Sequence, residues 1–335
     1  MAVLLYVPIL KGRAGELLAL DNVPTAHRRL ILPILEVVPR SGDPIKDALR
    51  FSESTRERLP ATPVGVDVVH LEDPTSGWRR PITDISEDLG AFGIPVLPVI
   101  RLDDPPDRLR DHGQAARRHE GRAIVRVRVD HLEADDDLTQ RLDSYAHVPI
   151  EQCDLVMDMF AVSSEAGLSR AEPMARKSVA WALRRPWRSI TVAAGAMPDP
   201  DRLRRRCVRS PAPVRRWDKA LRDRLSDLDV RFGDYGIAYP RLGPGWSPPP
   251  NLRYTSHDEW WVYRRQRAEA EGNAGFYHIC AALVTSTHWA GADHCWGDME
   301  LDRRSRRADG PGNATYWRAW GTSHHIAHVV AGLTS

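Results

Sequence analysis

Short apolar runs recur along the chain roughly every thirty residues: VLLYVPIL (3–10), LILPILEVV (30–38), PVGVDVV (63–69), IPVLPVI (94–100), AIVRVRV (123–129), CDLVMDM (153–159), SITVAAG (189–195) and VRFGDYGIAY (230–239). Runs of this length, rich in Val, Ile and Leu and bounded by Gly and Pro, have the pattern of buried parallel strands. Segments with helical spacing lie between them: Gly15 to Leu20, Asp43 to Leu59 with Pro44 in its first turn, Asp84 to Phe92, Pro106 to His119, Asp135 to Ala146, Leu168 to Leu183 and Val214 to Leu225. Each can cross back over a sheet, and parallel crossovers are right-handed. Eight strands alternating with helices predict an α/β fold, an eight-stranded (β/α) TIM-like barrel over residues 1–240, with an open α/β sheet as the rival.

After Tyr239 the texture changes. PRLGPGWSPPPN is a Pro/Gly-rich connector, placed at 241–251, and residues 252–335 are expected to form an α+β extension packed on the barrel. Within it LRYTSHDEWWVYR reads as an edge strand, 274–290 and 315–332 as apolar helices, and DMELDRRSRRADGPGN between those helices as a solvated loop. Trp246, Trp260, Trp261, Trp289, Trp296, Trp317 and Trp320 cluster here and read either as a stacking platform for a ligand or as an interface with the barrel.

Strand parity then picks out chemistry. In the fifth run Val125, Val127 and Val129 share one face and Arg126, Arg128 and Asp130 the other; in the sixth, Asp154, Val156 and Asp158 share a face. The helix-covered outside of a barrel is apolar, so the arginines should point inward. Lys11, Glu36, Asp67, Arg101, Arg128, Asp158 and Asp234, with Tyr235 beside the last, fall near the C-terminal ends of their strands, where the βα loops of barrels carry activity. The reading is a polar mouth for an anionic small molecule or a nucleotide-like, phosphate-bearing ligand. Arg126, Arg128, Arg101, Lys11, Tyr235 and Arg253 are the binding candidates, and Asp158, Asp234, Glu36 and Asp67 the catalytic ones. A salt-bridge network that only holds the mouth in register is the competing reading. Arg128, Asp158 and Asp234 are expected to lie together inside the mouth, with Arg126 one layer deeper.

No cofactor is required by any motif. A divalent metal ion could sit on Glu36 and Asp67, or on His324 and His328, four apart on a helix, with His288, His294 and Cys295 as further ligands. Gly12 and Gly15 in LKGRAGEL could cradle a phosphate, but the segment lacks the GK[ST] of a P-loop and reads as a tight turn. Cys153, Cys207, Cys280 and Cys295 lack CxxC spacing, which argues against a zinc ribbon or a disulfide framework.

Net charge is +2 from 47 basic and 45 acidic residues, so there is no overall basic field to attract nucleic acid. No apolar run approaches the ~20 residues that span a bilayer, and no signal-peptide pattern opens the chain; a cytoplasmic protein without a membrane partner is expected.

Several segments together resemble the Beta protein family of phages and bacteria: YVPILKGRAGEL (6–17), ILPILEV (31–37), VLPVIRL (96–102), FGDYGIAY (232–239), LRYTSHDEWWVYR (252–264) and WRAWGTSHHIAHVV (317–330). Arg13 fits the basic residue that follows the family's KG pair, while Arg265 stands where a Gly usually follows the tail strand. The resemblance implies a role around phage–host conflict and transfers no reaction. Two functions follow as expectations: an enzyme of hydrolase type acting on a phosphate-bearing substrate by acid–base or metal-assisted chemistry, or a non-catalytic sensor binding a protein partner at the same rim.

Overall fold

The computed structural model describes residues 4–59, 61–74, 77–129, 139–207, 210–243, 249–265 and 272–334. Eight parallel strands close into a barrel: β1 (Tyr6–Leu10), β2 (Ile34–Glu36), β3 (Val64–Asp67), β4 (Val96–Ile100), β5 (Ala123–Arg128), β6 (Cys153–Ala161), β7 (Ser189–Gly195) and β9 (Arg231–Asp234). They follow sequence order, and β1 pairs with β9 to seal the ring. Val7, Ile9, Ile34, Leu97, Val99, Ile124, Val156 and Ala193 fill the interior. Alternate residues such as Val125, Val127, Leu155 and Met157 pack outward beneath the helices. Both faces are buried, which is why the strands read as continuous apolar runs rather than as alternating ones.

The helices are α1 (Ala14–Asp21), α2 (Thr25–Arg28), α3 (Pro44–Arg56), α4 (Pro81–Ala91), α5 (Pro106–Arg117), α6 (Glu165–Ala182), α7 (Pro200–Arg206) and α8 (Trp217–Arg224), then α9 (Gly275–Val284), α10 (Trp296–Ser305) and α11 (Ala314–Thr334) in the tail. Pro44 occupies the first turn of α3, as predicted, and Asp43 before it caps the helix by accepting from the Ile45 and Lys46 amides.

Three expectations are corrected. The segment read as one helix from Val214 begins with a strand, β8 (Ala212–Arg215), which leaves the barrel for a second sheet of order β10-β11-β8. There it is an edge, where Pro213 removes no needed hydrogen bond. The single tail strand is a hairpin, β10 (Asn251–Thr255) and β11 (Glu259–Arg264), because Ser256 and its neighbours turn the chain, with the Ser256 amide 2.7 Å from the Glu259 carbonyl. Part of the charged stretch read as a loop forms α10, whose Glu300 and Arg304 pair one turn apart at 2.7 Å. Asp130, Trp246 and the first part of the helix expected from Asp135 lie outside the described residues.

The tail is held against the barrel by helix packing. Ile326, Val329 and Val330 of α11 join the outer cluster that contains Leu17, Leu20 and Phe232. The tryptophans supply core: Trp317 and Trp320 are buried with Phe276 and Leu301, Trp289 and Trp296 pack against that cluster, and Trp260 lies with Val214 and Val262. Gly15 belongs to this junction rather than to an anion cradle, since a Cβ there would stand 2.5 Å from the Thr315 carbonyl. Gly12 (φ +56°) makes the turn before it. Among the described residues no helix is long and apolar enough to cross a membrane.

Gly15→Ala should therefore lower the unfolding free energy by about 1–3 kcal/mol, the usual cost of overpacking, read as a lower urea midpoint at unchanged slope.

Candidate functional site

Arg126 projects from β5 into the barrel, as the parity of Ile124 and Arg126 requires, and every polar arm of its guanidinium is used. It donates from Nη1 to Glu36 Oε1 (2.8 Å) and Asp67 Oδ2 (2.9 Å). Nε and Nη2 form a fork on Asp158 Oδ2 (3.0 and 2.7 Å), and Nη2 reaches the Tyr235 hydroxyl at 2.6 Å. Tyr235 in turn donates to Asp158 at 2.6 Å. Lys11 bonds Glu36 and the Pro240 carbonyl, and Arg101 donates to Asp67 Oδ2 at 2.8 Å. Lys11, Glu36, Asp67, Arg126, Asp158 and Tyr235 are all buried. The structure thus gathers seven of the sequence candidates into one network across β1, β2, β3, β4, β5, β6 and the end of β9.

Charge explains the protonation states. Burial pushes Glu36 upward, but Arg126, the His70 ring at 3.1 Å and Lys11 outweigh it and hold the carboxyl well below the usual range. Asp67 is likewise lowered, Arg101 and Arg126 prevailing over burial and over the like charge of Glu36. Burial, partly opposed by Arg126, and the charge of Asp158 push the Tyr235 hydroxyl well above its ordinary value, so it donates. Glu36 and Asp67 are thereby fixed as ionised acceptors, with no proton to give near neutral pH. The place a divalent ion would take between them is held by Arg126 Nη1.

The rim above is less enclosed. The side chains of His70 and Arg101 are 23% and 14% exposed, which leaves both within reach of solvent. At the end of β6 the register slips between Asp158 and Ala161. Phe160 there takes φ +56°, a left-handed conformation that costs a bulky residue about 1–3 kcal/mol. Three contacts hold it. Its amide bonds Asp158 Oδ1 at 2.8 Å, its ring meets Tyr235 edge-on, and the Arg128 guanidinium lies 4.4 Å over its face. Beside this bulge is a pocket of about 170 Å³ lined by Arg128, Asp158, Gly167, Arg170 and Met174.

Asp234 corrects the parity reading. It faces away from the barrel interior, on the same side as Phe232, and meets the tail. It accepts from the Tyr6 hydroxyl (2.7 Å), the Gly236 amide (2.8 Å) and His325 Nε2 (2.8 Å), while Thr255 Oγ1 stands 2.9 Å from His325 Nδ1. Burial raises Asp234, and His325, Arg216 and Tyr6 reverse this to leave it low. Thr255, His325 and Asp234 have the connectivity of a nucleophile–base–acid relay, yet all are at most 1% exposed, so no substrate reaches them. Arg253 also leaves the mouth; it donates to the Ile237 carbonyl from β10. His324 and His328 lie in the tail on α11. Asp154, on the inward face of β6, sits at the opposite end of the barrel with Arg122, Arg188 and Arg231 at 3.2, 3.2 and 3.4 Å.

Sequence reading also passes over a titratable loop residue. Asp104, in the loop after β4, is pushed up to about 6 by burial and by Asp103, against Arg108. The DDPPD segment that holds it reads only as a polar turn.

Arg126→Ala strands three buried carboxylates and should cost about 3–5 kcal/mol of stability, measured by chemical denaturation. Glu36 and Asp67 are lowered in the folded state, so their stabilisation is present above the ordinary carboxylate range and is lost as pH falls through their folded values. Wild-type melting temperature should fall steeply below about pH 4, and the fall should be shallower in Arg126→Ala.

Among solved structures, the crystal structure of the NADH-dependent reductase A1-R′ responsible for alginate metabolism aligns with 71% of this chain and 90% of its own, at 10% identity and a TM-score of 0.23, a likeness that carries no argument about activity. No curated protein matches the sequence. The sequence profile of the Beta protein family matches residues 6–331, barrel and tail together, and the chain belongs to that family.

Proposed function

We propose that this protein binds a small phosphate-bearing ligand at the C-terminal mouth of its barrel, in the pocket beside the β6 bulge. The pocket itself carries the reading: two guanidinium groups, Arg128 and Arg170, line it together with the first turns of α6. Guanidinium forks match phosphate oxygens, and the start of an 18-residue helix adds a positive pole. Its size limits the ligand. Pockets for drug-sized molecules begin at about 300 Å³, so about 170 Å³ takes a phosphoryl or sugar phosphate group and leaves the rest of a nucleotide outside. The strained Phe160, stacked on Arg128, supports a functional rim, since such strain tends to collect at ligand clamps. The buried network beneath is the rigid floor of the site.

Binding without turnover is favoured over hydrolysis because Glu36 and Asp67 are locked as ionised acceptors. Hydrolysis is a second reading, and Asp104 is the observation that favours it: a carboxyl at about 6 can exchange a proton at working pH. In the setting of phage–host conflict that the family resemblance suggests, the protein would act in the cytoplasm as a sensor of a phosphorylated small molecule.

Isothermal titration of the full chain with inorganic phosphate and a nucleoside monophosphate checks this. Both should bind, and Arg128→Ala and Arg170→Ala should each weaken binding about tenfold or more, the loss of one charge-assisted pair, while melting within a few degrees of wild type. Absence of binding to both probes, or affinities untouched by either substitution, would sink the reading. Phosphate release from a generic phosphomonoester, rising or falling through pH 6 and lost in Asp104→Asn, would move the assignment to hydrolysis.

A further inference from the structure

Away from the barrel mouth, three tail segments bring metal-binding side chains to one point. His294 comes from the loop before α10, Asp298 from the first turn of α10 and His324 from the middle of α11. One donor atom from each lies within 4.8 Å of the others. We infer that His294, Asp298 and His324 form a binding site for a divalent transition-metal ion of the zinc class.

The hydrogen bonding of His324 carries the argument. Its Nε2 is 2.7 Å from the Thr255 carbonyl, which can only accept, so Nε2 bears the ring proton. Its Nδ1 is 2.8 Å from Asp298 Oδ2. In a neutral ring that nitrogen is an acceptor facing a carboxylate oxygen, and both residues are fully buried. Two acceptors at that distance need positive charge between them, from a second ring proton or from a cation. A proton would serve His324 and Asp298 alone and would leave His294 Nε2, which is buried with no hydrogen-bond partner among the described residues, unexplained. A metal ion uses all three donors.

The surroundings match what metal sites require. A ligating histidine ordinarily donates its other ring N–H to a carbonyl or carboxylate, as His324 does to Thr255. The second carboxylate oxygen of Asp298 accepts from the Tyr254 hydroxyl at 2.9 Å, and the Tyr254 ring stacks on His324 at 3.7 Å, fixing both ligands. Donor atoms 2.8 Å apart subtend roughly a right angle at an ion about 2 Å away, so an entering ion spreads this pair by about half an ångström to reach the tetrahedral angle. His294 must draw closer to complete the set, and its half-buried loop position permits that. Two imidazoles with one carboxylate suit zinc, cobalt, nickel or iron and exclude the all-oxygen preference of calcium and magnesium. Three protein ligands leave a fourth position for solvent, the open kind of site.

The test uses the full chain, stripped with a chelator and dialysed. Titration with Zn²⁺ should show one equivalent bound per chain and a raised melting temperature, and Co²⁺ should give the visible absorption of a protein-bound, low-coordinate ion. His294→Ala, which breaks no hydrogen bond and leaves the His324–Asp298 pair intact, should melt like the stripped wild type and bind Zn²⁺ at least tenfold more weakly. His328→Ala, a neighbouring histidine outside the set, should bind as wild type. Absence of stoichiometric binding of both metals overturns the assignment, as does a His294→Ala affinity equal to wild type or a loss of equal size in His328→Ala.

Discussion

A guanidinium placed near the axis of a closed barrel sets the terms for everything around it. Arg126 is buried, and an unpaired buried cation is among the costliest groups a protein can hold. Its donors lie in one plane in a fixed fork, so the acceptors must come to it from several directions. Glu36 arrives from β2, Asp67 from β3, Asp158 from β6 and Tyr235 from just past β9. Those carboxylates bring their own need for charge, met by Lys11 and Arg101. The result is neutral in sum, three cations against three carboxylates, and it cross-braces strands that share no backbone bonds. Register around the barrel is thus specified by side chains at its mouth as well as by the ladder.

Much of this is legible in sequence because the period of a strand is two. The run AIVRVRV is enough to turn Arg126 inward, since its valines must face the helices. The same rule, applied to FGDY, turns Asp234 outward. Gly233 leaves room where the interior is crowded, against Thr191 and Ala193, and Phe232 stacks on Tyr6 on the outer side. Asp234 shares the side of Phe232, and Tyr235, on the side of Gly233, reaches the interior by the same alternation. A charge near a strand end says less about direction than Phe232, the same-face neighbour that fixes the parity of Asp234. Between β7 and β9, β8 is hidden by its length of four residues, and in the tail α10 is hidden by a charge density that ion pairs one turn apart make compatible with a helix. Phe160 and Asp104 leave little trace in sequence, because a bulge and a desolvated loop carboxyl depend on distant packing.

The outward turn of Asp234 has a structural use that the inward one would not. A barrel whose strands are satisfied among themselves offers the tail only apolar surface, which gives adhesion without a defined orientation. Asp234, His325 and Thr255 supply direction: a barrel carboxylate, a helix imidazole and a hairpin hydroxyl fit together in only one arrangement of the three elements. Double burial makes the lock strict, because displacement of any member leaves the others without partners and out of water. The same connectivity in an open cleft would be read as catalytic; burial at 1% exposure or less makes it a fastening.

At the proposed site a buried, rigid floor lies beneath a more exposed rim. Groups that bind a ligand reversibly must be able to trade partners at low cost, and a member of the Arg126 network cannot do so without exposing a buried charge. Arg128, two residues further along the same face of β5, lies over the ring of the strained Phe160 and is partly exposed. Its alternation with Arg126 on a single strand places a fixed cation beneath and a more exposed one above, two residues apart. That spacing sets a fully ion-paired floor directly beneath a second, partly exposed guanidinium.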